Sequence, residues 1–176
     1  MRNNKPTLTL FCGLPGSGKT RIAKQLEQST DAVRLCTDDW LNDIGADLFD
    51  EELRELMQQK LYDLAQELLS KHVDVILEDG LWSKSERDEK LAMARRLNAF
   101  VSIHIFDLSP REQWKRLEHR NKNLQHGHVP ITRDQLDSYL PMFQTPKADE
   151  LKQFDEVHLY DDKRELEINQ QVKSPK

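Results

Sequence analysis

A chain of 176 residues with a net charge of -5 and 37% hydrophobic residues holds enough apolar material for one core and too little for a membrane-spanning bundle. A mean hydropathy of -0.77 and 32% charged residues lead us to expect one water-exposed domain over residues 1–165 with a polar tail over 166–176. The acidic balance argues against an extended nucleic-acid surface, no apolar run reaches transmembrane length, and the polar start without a secretory pattern gives the cytoplasm as the expected location.

Thr7–Cys12 reads as a buried strand and hands over at once to Gly13-Leu14-Pro15-Gly16-Ser17-Gly18-Lys19-Thr20. That octapeptide satisfies the phosphate-loop (Walker A) pattern G-x-x-x-x-G-K-[ST] at every defined position. The glycines let successive backbone N–H groups turn inward around an anion, and a helix starting near Lys19 aims its free amides at the same point. Lys19 supplies a cation for the β- and γ-phosphates, and the Thr20 hydroxyl is a magnesium ligand. Mg-ATP binding is therefore expected, with no Asn-Lys-x-Asp string to select guanine.

Further strands are expected over Ala32–Cys36, Val73–Leu77, Phe100–Phe106 and Glu156–Tyr160. Their alternation with helical stretches predicts a parallel sheet covered on both faces. Leu53, Leu56, Met57, Leu61, Leu64, Ala65, Leu68 and Leu69 recur at helical spacing and form the packing face of one long helix. Ser83 and Ser109, each three residues before a Glu, mark two more helix starts, the second reinforced by Pro110. Residues 121–131 lack apolar periodicity and read as a mobile lid.

Ligands of an open α/β sheet gather at the carboxyl ends of its strands. Beyond the second strand stand Asp38 and Asp39, followed by Trp40. Asp38 is assigned as the base that takes the proton of an attacking hydroxyl, while Asp39 and Trp40 are assigned to the substrate side. Beyond the third stand Glu78 and Asp79, which compete to complete the magnesium shell; Asp79, nearer the rim, is preferred. Trp82 and Arg87 are candidate substrate contacts, with helix-flank packing the alternative for Trp82. Arg116 and Arg120, four residues apart on one helix face beside the lid, suit neutralisation of a transferring phosphoryl group. His119, His126 and His128 have no partner at a zinc-binding spacing and receive no metal, and Cys12 and Cys36 no chemical role.

Gly13–Thr20, Cys36–Trp40, Val75–Trp82 with Glu86-Arg87-Asp88, and Arg116–Asn121 together resemble the small P-loop kinases of the chloramphenicol phosphotransferase, zeta toxin and polynucleotide kinase group, over roughly Thr7 to Tyr160. The resemblance implies a three-layer α/β/α P-loop NTPase fold with a five-stranded parallel sheet in the order 2-3-1-4-5. It implies a base at Asp38 and lid arginines at Arg116 and Arg120. Phe143, Pro146 and Glu150 look like a late Phe-x-x-Pro then Glu element whose physical role the sequence does not disclose. The expected activity is transfer of the γ-phosphoryl of Mg-ATP to a hydroxyl of a small molecule or nucleic-acid end. The alternative is a nucleotide-gated switch or ATPase acting on a protein partner. The segments between Trp40 and Leu53 and between Trp82 and Asp88 match no characterised member closely, which leaves the acceptor open.

Overall fold

The computed structural model describes residues 5–124 and 129–163. Strand β1 (Thr7–Cys12) runs through the middle of the sheet, with Leu8, Leu10, Phe11 and Cys12 wholly buried. Such uninterrupted burial is what a parallel strand covered on both faces requires. It pairs on one side with β3 (Val75–Leu77) and on the other with β4 (Phe100–Phe106). Strands β2 (Val33–Leu35) and β5 (Glu156–Tyr160) complete a five-stranded, all-parallel sheet in the order β2-β3-β1-β4-β5.

The second and third strands are shorter than the expected Ala32–Cys36 and Val73–Leu77. For β3 the cause is the preceding helix stop: His72 takes a left-handed φ of 60 and the Val73 amide donates to Leu68 O at 3.0 Å, so Val73 is tied to the helix rather than to the sheet. Asp74 then bonds the Thr7 amide at 2.7 Å and fixes where β1 enters.

One face of the sheet packs Leu10, Leu35, Leu77 and Ile103 against Leu61, Ala65 and Leu69 of α3 (Glu51–Ser70) and Leu91 and Ala94 of α4 (Lys84–Arg96). The other packs Phe11, Ile76 and Phe106 against Ile22 and Ala23 of α1 (Lys19–Ser29). Asp50 caps α3 by accepting the Leu53 amide at 3.0 Å, and Ser83 and Glu86 form a reciprocal capping box on α4. At α5 (Pro110–Lys122) the expected box is only half formed. Ser109 Oγ accepts the Glu112 amide, but the Glu112 carboxylate turns to Arg116 and the Ser109 amide donates to Asp162 instead.

Beyond α5 come α6 (Arg133–Tyr139), a single 3-10 turn over Leu140–Met142, and α7 (Ala148–Leu151). Leu14, Leu117 and Leu136 form a third apolar cluster, which seats α5 and α6 directly on the phosphate loop. The centre of the expected lid and the tail over 166–176 lie outside the described residues. No described helix is long and apolar enough to cross a membrane.

Candidate active site

The phosphate loop needs left-handed backbone at Gly16 (φ 76) and Gly18 (φ 106). Gly16 also lies under α5, where a Cβ would sit 2.5 Å from Leu117 Cδ2. Gln113 of α5 donates to the Pro15 carbonyl, so the same helix that covers the loop also grips it. Lys19 folds back and donates Nζ to Gly13 O and Leu14 O, both at 2.9 Å. Burial lowers its pKa to about 8, partly offset by the charges of Glu78 and then Asp38. Ser17 Oγ is buried with no hydrogen-bond partner, an orphaned hydroxyl inside a ring of amides, and this fits a loop built to receive phosphate oxygens.

Because α2 (Thr37–Asp43) begins directly after β2, Asp38 and Asp39 fall in its first turn, where the helix dipole favours carboxylates. They have different partners. Asp38, more than half exposed, takes a 2.7 Å ion pair from Arg54 at the start of α3. Asp39 pairs with Arg34, which also binds Glu78 at 2.5 Å and Glu27 at 2.9 Å; one guanidinium thus ties β2, α1, α2 and the end of β3 together.

A cleft of about 760 Å³ opens over these groups. Its phosphate half is lined by the loop with Lys19, Thr20 and Arg120. Asp38 and Asp39 also line it, together with Leu48, Phe49, Trp82, Ile131 and Tyr139. Asp38 raises the proton affinity of both Lys19 and Arg120, so the three charges converge on one space. Arg120 donates Nη2 to Val129 O at 3.3 Å, and burial lowers its pKa.

Four expectations change. Asp79 is buried: Thr37 Oγ1 donates to its Oδ1 at 3.2 Å, its Oδ2 has no hydrogen-bond partner among the described residues, and desolvation raises its pKa. Glu78 pairs with Arg34 instead, and its charge acts on Lys19 more than that of any other carboxylate, so of the two it is the one on the phosphate-loop side. Arg87 is no substrate contact: it is 1% exposed and paired with Glu150 at 2.5 Å. That pair also supplies the missing role of the late Phe143-x-x-Pro146 then Glu150 element. Trp40 is exposed but does not line the cleft. Arg116 parts from Arg120; its Nη1 donates to Ser17 O at 3.3 Å and its Nε pairs with Glu112 at 3.0 Å, so it buttresses the loop from outside the cleft.

Trp82 lines the cleft and donates Nε1 to Gly13 O at 3.1 Å, a contact with the phosphate loop that neither expected role described. His119 is exposed, and His126 and His128 lie outside the described residues. Arg34, Arg54, Gln113 and Tyr139 were not singled out from the sequence. Only Arg54 carried a local signal, because a cation in the first turn of a helix opposes the dipole and implies a nearby carboxylate.

Comparisons with known proteins agree with this fold. The family described as AAA domain matches residues 8–146. A chain of the Pnkp1/Rnl/Hen1 RNA repair complex superposes with a TM-score of 0.69 at 22% identity, over 87% of this chain and 47% of that one; the present chain thus spans about half its length. Kti12 of Chaetomium thermophilum, in complex with ADP-AlF3, gives 0.66 at 15% identity over 95% of both chains. The APS kinase CysC of Mycobacterium tuberculosis, in complex with AMPPNP and APS, gives 0.53 at 21% identity over 97% and 99%. No curated protein matches the chain. The shared architecture is the P-loop kinase-like fold.

Proposed function

The chain belongs to the AAA domain family, and from that premise we propose that it transfers the γ-phosphoryl group of Mg-ATP to a hydroxyl of a small molecule or a nucleic-acid end. The observation that carries the proposal is the position of Asp38: an accessible carboxylate in the same cleft as Lys19 and Arg120, charge-coupled to both.

The loop amides receive the phosphates, and Lys19 exchanges the carbonyls of Gly13 and Leu14 for phosphate oxygens. Thr20 and Glu78 offer the hard oxygen donors that suit Mg2+, with Arg34 holding the Glu78 carboxylate in place. A bound Mg2+ held there would supply positive charge that offsets the charge of the phosphates during transfer. Asp38 accepts the proton of the acceptor hydroxyl as that oxygen bonds to the γ-phosphorus; the bond to the β,γ-bridging oxygen breaks, and ADP keeps that oxygen. Arg54 orients Asp38 for this step. Arg120 places its charge over the transferring group from α5, and Arg116 keeps α5 on the loop. Two free, buried cysteines suit a reducing cytoplasm as the place of reaction.

The test is ADP release from Mg-ATP across hydroxyl acceptors: amino sugars, neutral polyols, nucleosides and 5'-hydroxyl oligonucleotides. One acceptor should lift turnover, and Asp38→Asn should abolish that lift while leaving nucleotide binding intact. Stimulation by an acceptor that survives Asp38→Asn would refute the assigned base.

A further inference from the structure

One carbonyl of the phosphate loop serves two donors. Gly13 O accepts Lys19 Nζ at 2.9 Å and the Trp82 indole Nε1 at 3.1 Å, while the Gly13 amide donates to Gly80 O at 2.9 Å. The loop after β3 is thus zipped to the phosphate loop from both sides of a single peptide. The indole reaches that position because Gly80 has no side chain, where a Cβ would lie 2.4 Å from Trp82 Nε1.

Behind the indole stands the buried Arg87–Glu150 pair. Arg87 Nη1 donates to Leu81 O at 3.0 Å and to Trp82 O at 3.2 Å, while Nε and Nη2 hold the two Glu150 oxygens at 2.5 and 3.2 Å. The Gln144 amide adds a third hydrogen bond to the same two carbonyls, reaching Trp82 O at 2.9 Å. Leu81 itself takes a φ of 38, a conformation that persists only where the surroundings hold it. In front, the indole lies 5.2 Å from the Tyr139 ring, and both residues line the cleft.

We propose that Trp82 is a positioning residue that couples nucleotide occupancy to the acceptor half of the cleft. This rests on the phosphoryl-transfer reading above. A phosphate group draws Lys19 off the Gly13 carbonyl. A cationic donor dominates a shared acceptor, so its departure leaves the carbonyl wholly to the neutral indole N–H and strengthens that bond. The indole, fixed between Gly13 and the Arg87–Glu150 pair, then presents a rigid wall to the acceptor. Nucleotide binding thereby precedes and tightens acceptor binding, and by reciprocity the acceptor tightens nucleotide binding by the same factor.

The chain has three tryptophans, and replacing Trp40 and Trp114 by Phe leaves Trp82 as the sole reporter. Its emission and acrylamide quenching are followed during titration with Mg-ADP and, separately, with magnesium tripolyphosphate, which has no base to stack on the ring. Both ligands should lower quenching with the midpoint that calorimetry gives for binding. Glu150→Gln, and Arg87→Lys should the first fail to fold, should raise quenching in the empty protein and abolish the ligand-dependent fall. Mg-ADP affinity should stay within about fivefold, the scale of one neutral hydrogen bond. Calorimetric binding with unchanged Trp82 quenching, or a response to Mg-ADP without one to tripolyphosphate, overturns the coupling alone. Failure of both ligands to bind overturns the phosphoryl-transfer reading and the coupling with it.

Discussion

Glu150→Ala leaves Arg87 buried at 1% exposure with its carboxylate partner gone. The guanidinium cannot escape by losing its proton, because its pKa stays above the accessible range and the native pairing raises it further. Its remaining bonds, from Nη1 to the carbonyls of Leu81 and Trp82, leave Nε and Nη2 without their carboxylate oxygens. Breaking a buried pair from one side costs about 3–5 kcal/mol. For a domain of this size that amounts to a fall in Tm of roughly 6–20 °C. Arg87→Met combined with Glu150→Leu removes both charges at similar volume and should restore most of that stability, since two desolvated ions are replaced by apolar packing. Urea unfolding followed by circular dichroism measures all three proteins at constant m. If Glu150→Ala unfolds within about 1 kcal/mol of the parent, or the double variant is less stable than the single, the buried pair is not the constraint described.

Burial holds Lys19 near a pKa of about 8 instead of 10.5, and a bound polyphosphate raises it, so binding takes up a proton. Mg-ADP affinity should be flat below about pH 8 and fall as pH rises through it, by up to about tenfold per unit; calorimetry in buffers of different ionisation enthalpy reads the proton directly, and its absence would refute the assignment. His104 is buried between Phe11 and His158 and its pKa is lowered to about 4, so between roughly pH 6.5 and 4 the unfolded chain binds a proton that the native state declines. Stability should fall across that window by up to about 3 kcal/mol, and His104→Phe should flatten the decline measured by urea unfolding. Gly16→Ala combines a left-handed φ of 76 with a Cβ 2.5 Å from Leu117, a cost of about 2–4 kcal/mol. Its tripolyphosphate affinity should drop sharply and recover in part when Leu117→Ala opens the space; no recovery would place the damage elsewhere.

The phosphate loop was legible because its demands are local: three glycines, a lysine and a hydroxyl within eight residues, between a strand and a helix. The place of Asp38 in the cleft was legible by position, since whatever follows a strand of such a sheet faces the ligand edge. The choice between Glu78 and Asp79 was not. Both follow β3 directly, where successive residues still turn to opposite sides, but only the assembled sheet shows that Glu78 acts on Lys19 and Asp79 lies beside Thr37. The same holds for the strand order, which came from resemblance rather than from periodicity. Arg87 and Glu150 lie 63 residues apart, and each alone reads as an ordinary charge on a helix face. Arg116 and Arg120 share a helical spacing, yet the tilt of α5 over Gly16 sends one to the cleft and the other to the Ser17 carbonyl.

The fate of the γ-phosphoryl group tests the central claim most directly. Phosphorus NMR of the protein with Mg-ATP and the acceptor panel distinguishes a phosphomonoester from inorganic phosphate. The account predicts a phosphomonoester with at least one acceptor, lost in Asp38→Asn while Mg-ADP still binds. Inorganic phosphate alone, formed at the same rate with or without acceptor and unchanged by Asp38→Asn, would contradict it.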